Sequence, residues 1–176
     1  IRKSNIKLLG DSITQGSGST GYVEWFDGTY TIRGNGENYP EDAENYKVGD
    51  YLGSRGLIKW YESTSGNGWG QLIMQYFESK YSCCVKDYGM GGATTNDIID
   101  NLETLISEDD TLMLLMIGTN DRRSLSKEEY MFNVRTIVDT LKTQGKEVVL
   151  ISPPPLKASI DADSIHFHAE DINNML

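Results

Sequence analysis

The chain has 176 residues, of which 38% are hydrophobic and 24% are charged. This length suits one domain with a substantial core, and the composition excludes a disordered or collagen-like chain. No apolar run approaches the roughly 20 residues that a membrane-spanning helix needs. Asp and Glu number 26 against 16 Lys and Arg, which gives a net charge of −10. We therefore expect neither nucleic acid nor an anionic membrane surface as a partner, since both bind basic surfaces.

Four short apolar runs predict strands, and four stretches with helical periodicity predict helices. Capping signals at Thr94 and Ser126 predict two helix starts, and Gly145 predicts a helix end. In chain order, the predicted elements are a strand at 6–9, a helix at 69–81, a strand at 83–88, a helix from 94, a strand at 111–117, a helix from 126, a strand at 147–151 and a helix from 169. The helix at 69–81 is predicted to bury Leu72, Ile73, Tyr76 and Phe77.

This alternation of strands and helices predicts a single α/β domain over residues 1–176. Right-handed crossovers would give a mainly parallel, flavodoxin-like sheet with helices on both faces, a three-layer α/β/α sandwich. In such folds the functional site lies at the carboxyl ends of the strands. The residues directly after each predicted strand are therefore the first candidates for a function.

An insertion at about 19–67 interrupts the alternation and is rich in Gly, Tyr and Trp. It holds nine of the chain's seventeen aromatic residues, between Tyr22 and Tyr61. Residues 25–32 resemble a hairpin with Asp27-Gly28 at its turn. Two interpretations stay open: a wall beside Ser12 on which a sugar ring or acyl group stacks, or a hairpin with its own small aromatic core. The second is the simpler expectation.

The two cysteines, Cys83 and Cys84, are adjacent. Neighbouring residues in a strand point to opposite faces, so the pair is unsuited to a disulfide and we expect two structural thiols. This favours a reducing, cytoplasmic location slightly. A secreted or cell-surface location stays open, because a leader could have preceded Ile1.

Three of the predicted strands are followed by loops that carry chemistry. Residues 10–14 are Gly-Asp-Ser-Ile-Thr, residues 89–94 are Gly-Met-Gly-Gly-Ala-Thr, and residues 118–121 are Gly-Thr-Asn-Asp. At one edge of a parallel sheet they would supply a hydroxyl, a glycine that allows close approach, and a side-chain amide. Acyl transfer needs this set, which combines a nucleophile with donors for the developing oxyanion.

With these blocks in this order, the chain resembles the SGNH (GDSL) hydrolase family of serine esterases and lipases over residues 6 to about 155. The resemblance implies Ser12 as nucleophile, and an oxyanion hole made by the backbone N–H groups of Ser12 and Gly92 and the side-chain amide of Asn120. Asp11 and Asp121 would order their loops by accepting backbone hydrogen bonds. The implied activity is hydrolysis of a small acyl ester, such as an O-acetyl group on a carbohydrate, with no metal or organic cofactor.

Two other functions remain as alternatives to the esterase. One is a non-catalytic domain on the same fold that binds a ligand or a carbohydrate. The other is a nucleotide- or phosphate-binding domain that uses Gly16 and Gly18, although no complete phosphate-loop motif occurs there.

The general base is the open question, since the family takes it from a late Asp-x-x-His block. Asp163 and His166 match that block in letters, but His166 follows the fourth predicted strand by only fifteen residues. In the family a further helix and a fifth strand come first. We therefore expect the true pair beyond Leu176, in a chain that lacks its last strand and helix. The alternatives are that the pair is lost, or that Asp163 and His166 are the pair.

Overall fold

The computed structural model describes residues 4–26, 31–34, 47–53, 56–64, 66–155 and 165–173. The strands are β1 (Ser4–Gly10), β2 (Val23–Phe26), β3 (Thr31–Gly34), β4 (Lys47–Gly53), β5 (Gly56–Tyr61), β6 (Cys83–Gly89), β7 (Asp110–Met116) and β8 (Glu147–Leu150). The helices are α1 (Trp69–Lys80), α2 (Thr95–Asp100), α3 (Leu102–Leu105), α4 (Lys127–Thr143) and α5 (Ala169–Asn173). A 3-10 helix covers Asp121–Arg123.

The central sheet confirms the predicted α/β fold. Its four strands are all parallel and follow the order β6-β1-β7-β8. Numbered along the chain among themselves, these strands stand in the order second, first, third, fourth, which is the order of flavodoxin-like sheets. The chain therefore leaves β1 towards one side of the sheet and later crosses to the other side. The crevice between the carboxyl ends of β1 and β7 is the position where this topology places its ligands.

Apolar side chains on both faces of the sheet form the core. On one face, Ile6 and Leu8 pack in a cluster with Trp69, Ile73 and Phe77 of α1. On the other face, the cluster contains residues from β1, α2, α3, β7 and α4, among them Leu9, Ile98, Leu105, Met113 and Leu141. Because β7 contributes to both clusters, its uninterrupted apolar sequence is what a strand covered on both faces requires.

The predicted inner face of α1 is wrong at two of its four positions. Ile73 and Phe77 pack on the sheet, but Leu72 and Tyr76 are 51% and 50% exposed. The helix approaches the sheet at Gly70, where an added Cβ would meet Asp87 and Leu8. At 100° per residue, positions 73 and 77 lie near the line through Gly70 and positions 72 and 76 lie away from it.

Local signals predicted the helix ends correctly. Thr94 with Asp97, and Ser126 with Glu129, form capping boxes at the starts of α2 and α4. The helix α4 ends at Thr143, and Gly145 follows with φ +76°. Such positive φ is open to glycine and strained for other residues.

The insertion contains two antiparallel hairpins. The first pairs β2 with β3 and confirms the predicted hairpin, although Asp27 and Gly28 lie outside the described residues. The second pairs β4 with β5 and was not predicted, because glycines and charged residues interrupt its alternation. An added Cβ at Gly49 of β4 would meet Thr104 of α3, so this hairpin lies against that helix. The choice between a stacking wall and an aromatic core concerns side chains outside the described part of the chain.

Both cysteines are free thiols. Cys83 is buried and Cys84 half-buried, and neither forms a disulfide. Among the residues that the structure describes, no helix has both the length and the apolar character to span a bilayer.

Leu141→Ala tests the core beneath α4. Leu141 is fully buried in the cluster on that face, so we expect a loss of about 2–5 kcal/mol in the free energy of unfolding. Leu72→Ala, the same substitution at a half-exposed helix position, should cost about 1 kcal/mol or less. Urea denaturation measures both variants, and equal losses would contradict this difference in packing.

Candidate active site

The loops after β1, β6 and β7 begin at the same level of the sheet. Gly10, the last residue of β1, lies opposite Gly89 in β6 and opposite Met116 in β7. The backbone N–H of Met90 donates to the carbonyl of Gly10 at 3.0 Å, which joins the first two loops directly. The structure therefore brings the loops of Ser12, Gly92 and Asn120 to one edge, at the crevice between β1 and β7.

The turn that carries Ser12, residues 11–17, is held by its own backbone and by β7. The Thr14 hydroxyl donates to the carbonyl of Met116 in β7 at 3.3 Å. The N–H of Gln15 donates to the carbonyl of Asp11 at 3.0 Å, and the N–H of Ser17 donates to that of Ser12 at 2.9 Å. Asp11 Oδ1 accepts the N–H of Ile13 at 2.9 Å, which confirms its predicted role in ordering the loop. Burial raises the pKa of Asp11, although hydrogen bonds from Ile13 and Thr119 and the Arg122 charge oppose this. Ser12 itself is half-buried.

A hydrogen bond joins the loops of Gly92 and Asn120. Gly92 is exposed and has φ +80°, a conformation that favours glycine. Asn120 Nδ2 donates to the carbonyl of the next residue, Ala93, at 2.8 Å. A side-chain amide has two N–H hydrogens, so this bond fixes the direction of the amide and leaves the second hydrogen for another acceptor.

Asp121 ties the Asn120 loop to α2. Its Oδ1 accepts hydrogen bonds from the backbone N–H of Thr95 at 2.9 Å and from the Thr95 hydroxyl at 2.5 Å. This confirms the predicted loop-ordering role of Asp121. Burial raises its pKa against the effect of the two Thr95 bonds. Asn133 of α4 donates to the same hydroxyl at 2.9 Å, so the loop is also linked to α4.

His166 lies against the loop that follows β7. Its backbone N–H donates to the carbonyl of Arg122 at 2.8 Å, and its Nδ1 is 2.8 Å from the carbonyl oxygen of Leu125. A carbonyl oxygen only accepts, so Nδ1 carries the hydrogen of this bond. The His166 side chain is exposed. Asp163 lies outside the described residues.

The buried side chain of Arg122 links the loop after β7 to a distant segment of the chain. Its side chain is fully buried and donates to the carbonyl of Pro154 at 3.1 Å. Burial lowers the pKa of the guanidinium, while the proximity of Tyr130 and Asp11 opposes this. Arg122 therefore connects the loop after β7 with the segment after β8.

A buried polar cluster beneath the Ser12 turn was missed at the level of the sequence. It consists of Gln15, Ser63, Gln71 and Asp87, all of them almost wholly buried. Asp87 Oδ2 accepts a hydrogen bond from Gln71 Nε2 and Oδ1 accepts the N–H of Gly89, both at 2.8 Å. Burial raises the pKa of Asp87 well above its ordinary value despite these bonds. The sequence signal that could have indicated this cluster was Asp87, a carboxylate near the end of the mostly buried strand β6.

The model of one protein family, the GDSL-like lipase/acylhydrolase family, matches residues 8–175. The chain belongs to this family. Membership confirms the resemblance stated from the three loops, and it confirms the predicted class, an enzyme that acts on ester bonds. A comparison with curated protein sequences gives no significant match.

Solved structures of GDSL esterases share the fold. The chain is similar to an acetylxylan esterase from Geobacillus stearothermophilus, with 16% identity and a TM-score of 0.58 over 99% of this chain and 73% of that chain. It is similar to a lipase/acylhydrolase from Enterococcus faecalis, with 17% identity and a TM-score of 0.58 over 98% and 68%. A catalytic mutant of the Geobacillus esterase with a histidine replaced by alanine gives 16% identity and a TM-score of 0.60 over 99% and 71%.

Asp87→Asn tests the burial of this carboxyl group. Because the folded-state pKa of Asp87 is raised, the folded protein keeps a proton that the unfolded chain releases above the ordinary value of 3.8. Wild-type stability therefore falls as the pH rises from that value towards the raised pKa. Asn does not titrate, so the Tm of the variant minus that of the wild type should increase with pH over this interval.

Thermal unfolding followed by circular dichroism across this pH interval measures the effect. Asp100→Asn, at an exposed position of α2, is the matched control. Asp11 and Asp121 are present in both proteins and cancel in the difference. A Tm difference for Asp87→Asn that stays constant or decreases with pH would contradict the raised pKa of Asp87 in the folded protein.

Proposed function

We propose that the protein hydrolyses a small carboxylic ester through an acyl-enzyme on Ser12. The observation that carries this proposal is the bond from the Asn120 amide to the carbonyl of Ala93. It joins the residue next to Gly92 with Asn120 at the edge where the Ser12 turn begins, so two donor loops and a hydroxyl lie at one edge of the sheet. A half-buried serine beside fixed donors is the arrangement that acyl transfer requires.

In this mechanism Ser12 Oγ attacks the ester carbonyl carbon and loses its proton to a base. The carbonyl oxygen becomes an oxyanion that accepts hydrogen bonds from the N–H groups of Ser12 and Gly92 and from the free N–H of the Asn120 amide. The C–O bond to the alcohol then breaks, and the base returns the proton to the departing oxygen. Water, deprotonated by the same base, releases the acid and restores Ser12.

We propose His166 as this base, the last of the three alternatives that the sequence left open. Its Nδ1–H is directed to the Leu125 carbonyl, so Nε2 is the proton acceptor, as in a serine–histidine pair. The histidine segment is bonded to Arg122, two residues after Asn120, so it lies at the edge of the sheet that carries Ser12. A histidine is the residue replaced in one catalytic mutant of the Geobacillus esterase, which supports a histidine base; in this chain the Leu125 carbonyl accepts the Nδ1 hydrogen and orients the ring.

As substrate we propose an O-acetyl group on a neutral carbohydrate. Acetylxylan esterases are among the proteins with this fold, and the net charge of −10 disfavours an anionic substrate. The insertion begins and ends beside the Ser12 turn, since the N–H of Asn67 donates to the carbonyl of Thr20 at 3.0 Å. Its hairpins therefore start close to the crevice, where they can contact the alcohol part of a substrate.

Ser12→Ala should abolish ester hydrolysis and leave Tm within about 2 °C of the wild type, because a half-buried surface hydroxyl contributes little to stability. Hydrolysis of p-nitrophenyl acetate and release of acetate from acetylated xylooligosaccharides measure the activity. Ser17→Ala, an exposed serine in the same turn, is the matched control and should keep full activity. Activity that persists in Ser12→Ala would show that another residue is the nucleophile.

His166→Ala should lower kcat by about 10²- to 10⁴-fold, because attack by Ser12 then lacks a general base. His168→Ala removes an exposed histidine two positions away and serves as the control. Added imidazole should restore part of the lost activity in His166→Ala only. Full activity of His166→Ala in the same assays would exclude this residue as the base.

A further inference from the structure

The polar cluster beneath the Ser12 turn takes no part in the proposed mechanism. Its burial is nevertheless costly and requires an explanation. Gln15, Ser63, Gln71 and Asp87 bring their polar groups into the protein interior, where a polar group without a hydrogen bond is costly. Apolar side chains would fill the same space at lower cost. The cluster is therefore best explained by the parts of the chain that its hydrogen bonds connect.

The bonds converge on one backbone atom, the carbonyl oxygen of Gln15 in the Ser12 turn. The hydroxyl of Ser63 donates to it at 2.6 Å, and Gln71 Nε2 donates to it at 3.3 Å. Gln71 Nε2 also donates to Asp87 Oδ2 at 2.8 Å, while Asp87 Oδ1 holds the N–H of Gly89 at 2.8 Å. Gly89 begins the segment that leads to Gly92. Gln71 thus links the turn of the nucleophile with the strand end that precedes the oxyanion donor.

Ser63 ties the end of the insertion to the same point. Its backbone N–H donates to the carbonyl of Asp87 at 2.7 Å, and its hydroxyl lies 3.3 Å from Gln71 Nε2. The chain that returns from the second hairpin is therefore fixed to β6 and to the Ser12 turn together.

Glycines make room for this arrangement. An added Cβ at Gly16 or Gly68 would meet Gln71 Oε1, and an added Cβ at Gly89 would meet the backbone of Gln15. The Gln71 side chain therefore lies directly against Gly16 of the Ser12 turn. In such close packing, a small change at Gln71 is transmitted to the turn.

We propose that Gln71 is a positioning residue for ester hydrolysis: with Ser63, it holds the Gln15 carbonyl and so sets Ser12 relative to the loop of Gly92. The proposal rests on the roles proposed above for Ser12 and Gly92. The attacking oxygen and the oxyanion donors must be aligned in the transition state, whereas ground-state binding of a small ester depends less on that alignment. Loss of the Gln71 bonds should therefore lower kcat more than it changes KM.

The test is Gln71→Met, which keeps the length of the side chain and removes its hydrogen bonds. We expect kcat for p-nitrophenyl acetate to fall about 10- to 100-fold and KM to stay within about threefold, the size of effect that a misplaced reacting group produces. The assay is run well below the Tm of each protein, with active sites counted by fluorophosphonate labelling. Gln75→Met, one turn later on the exposed side of α1, is the matched control and should match the wild type.

Ser63→Ala provides an independent variant with a smaller change in volume. It should lower kcat about threefold to tenfold at unchanged KM, and it decides the matter alone if Gln71→Met does not fold. Because both side chains donate to the same carbonyl, the double variant should lose less than the product of the two single losses. If kcat stays within twofold of the wild type in every folded variant, Gln71 has no positioning role.

The outcome can be separated from that of the proposed function. An inactive Ser12→Ala together with a fully active Gln71→Met overturns only the positioning role. An active Ser12→Ala removes the nucleophile on which both proposals depend, whatever the kcat of Gln71→Met.

Discussion

The strand ends without side chains are the constraint on which the rest of the site depends. Gly10 ends β1 and Gly89 ends β6, and these two residues are paired in the sheet. An added Cβ at Gly10 would meet Thr14 and the Met116 carbonyl, and one at Gly89 would meet the backbone of the Ser12 turn. The turn can fold back onto the edge of the sheet only because both positions are glycine. The glycines that begin the first two of the three loops are therefore required by packing.

Three buried carboxyl groups support the loops at this edge of the sheet. Asp11, Asp87 and Asp121 are buried, and burial raises the pKa of all three carboxyl groups. The buried Arg122 provides a positive charge near Asp11. Hydrogen bonds are stronger in such a medium, and a missing partner costs more there than at the surface. The hydrogen bonds that these carboxyl groups accept therefore hold the loops after β1, β6 and β7 firmly in place.

The features that could be predicted from the sequence are those that depend on short-range patterns. The capping boxes at Thr94 and Ser126, the strand ends and the parallel order all follow from short-range patterns and chain connectivity. The inner face of α1 could not be predicted, because it depends on the close approach of Gly70 to Asp87, seventeen positions later. The hydrogen bonds of Ser63 and Gln71 were missed for the same reason: their partners are distant in sequence. The contact of His166 with Leu125, 41 positions earlier, likewise depends on the tertiary fold and on no local pattern.

The stem of the insertion divides the protein into two parts with different freedom to change. The carbonyl of Thr20 and the N–H of Asn67 are joined by one hydrogen bond, so the two ends of the insertion meet beside the Ser12 turn. A loop whose ends already meet can vary in length at a small cost in closure entropy. The hairpins can therefore vary in length while Ser63 keeps its bond to the Gln15 carbonyl. The freedom to change therefore ends at Ser63, which is fixed to the Ser12 turn and to β6 together.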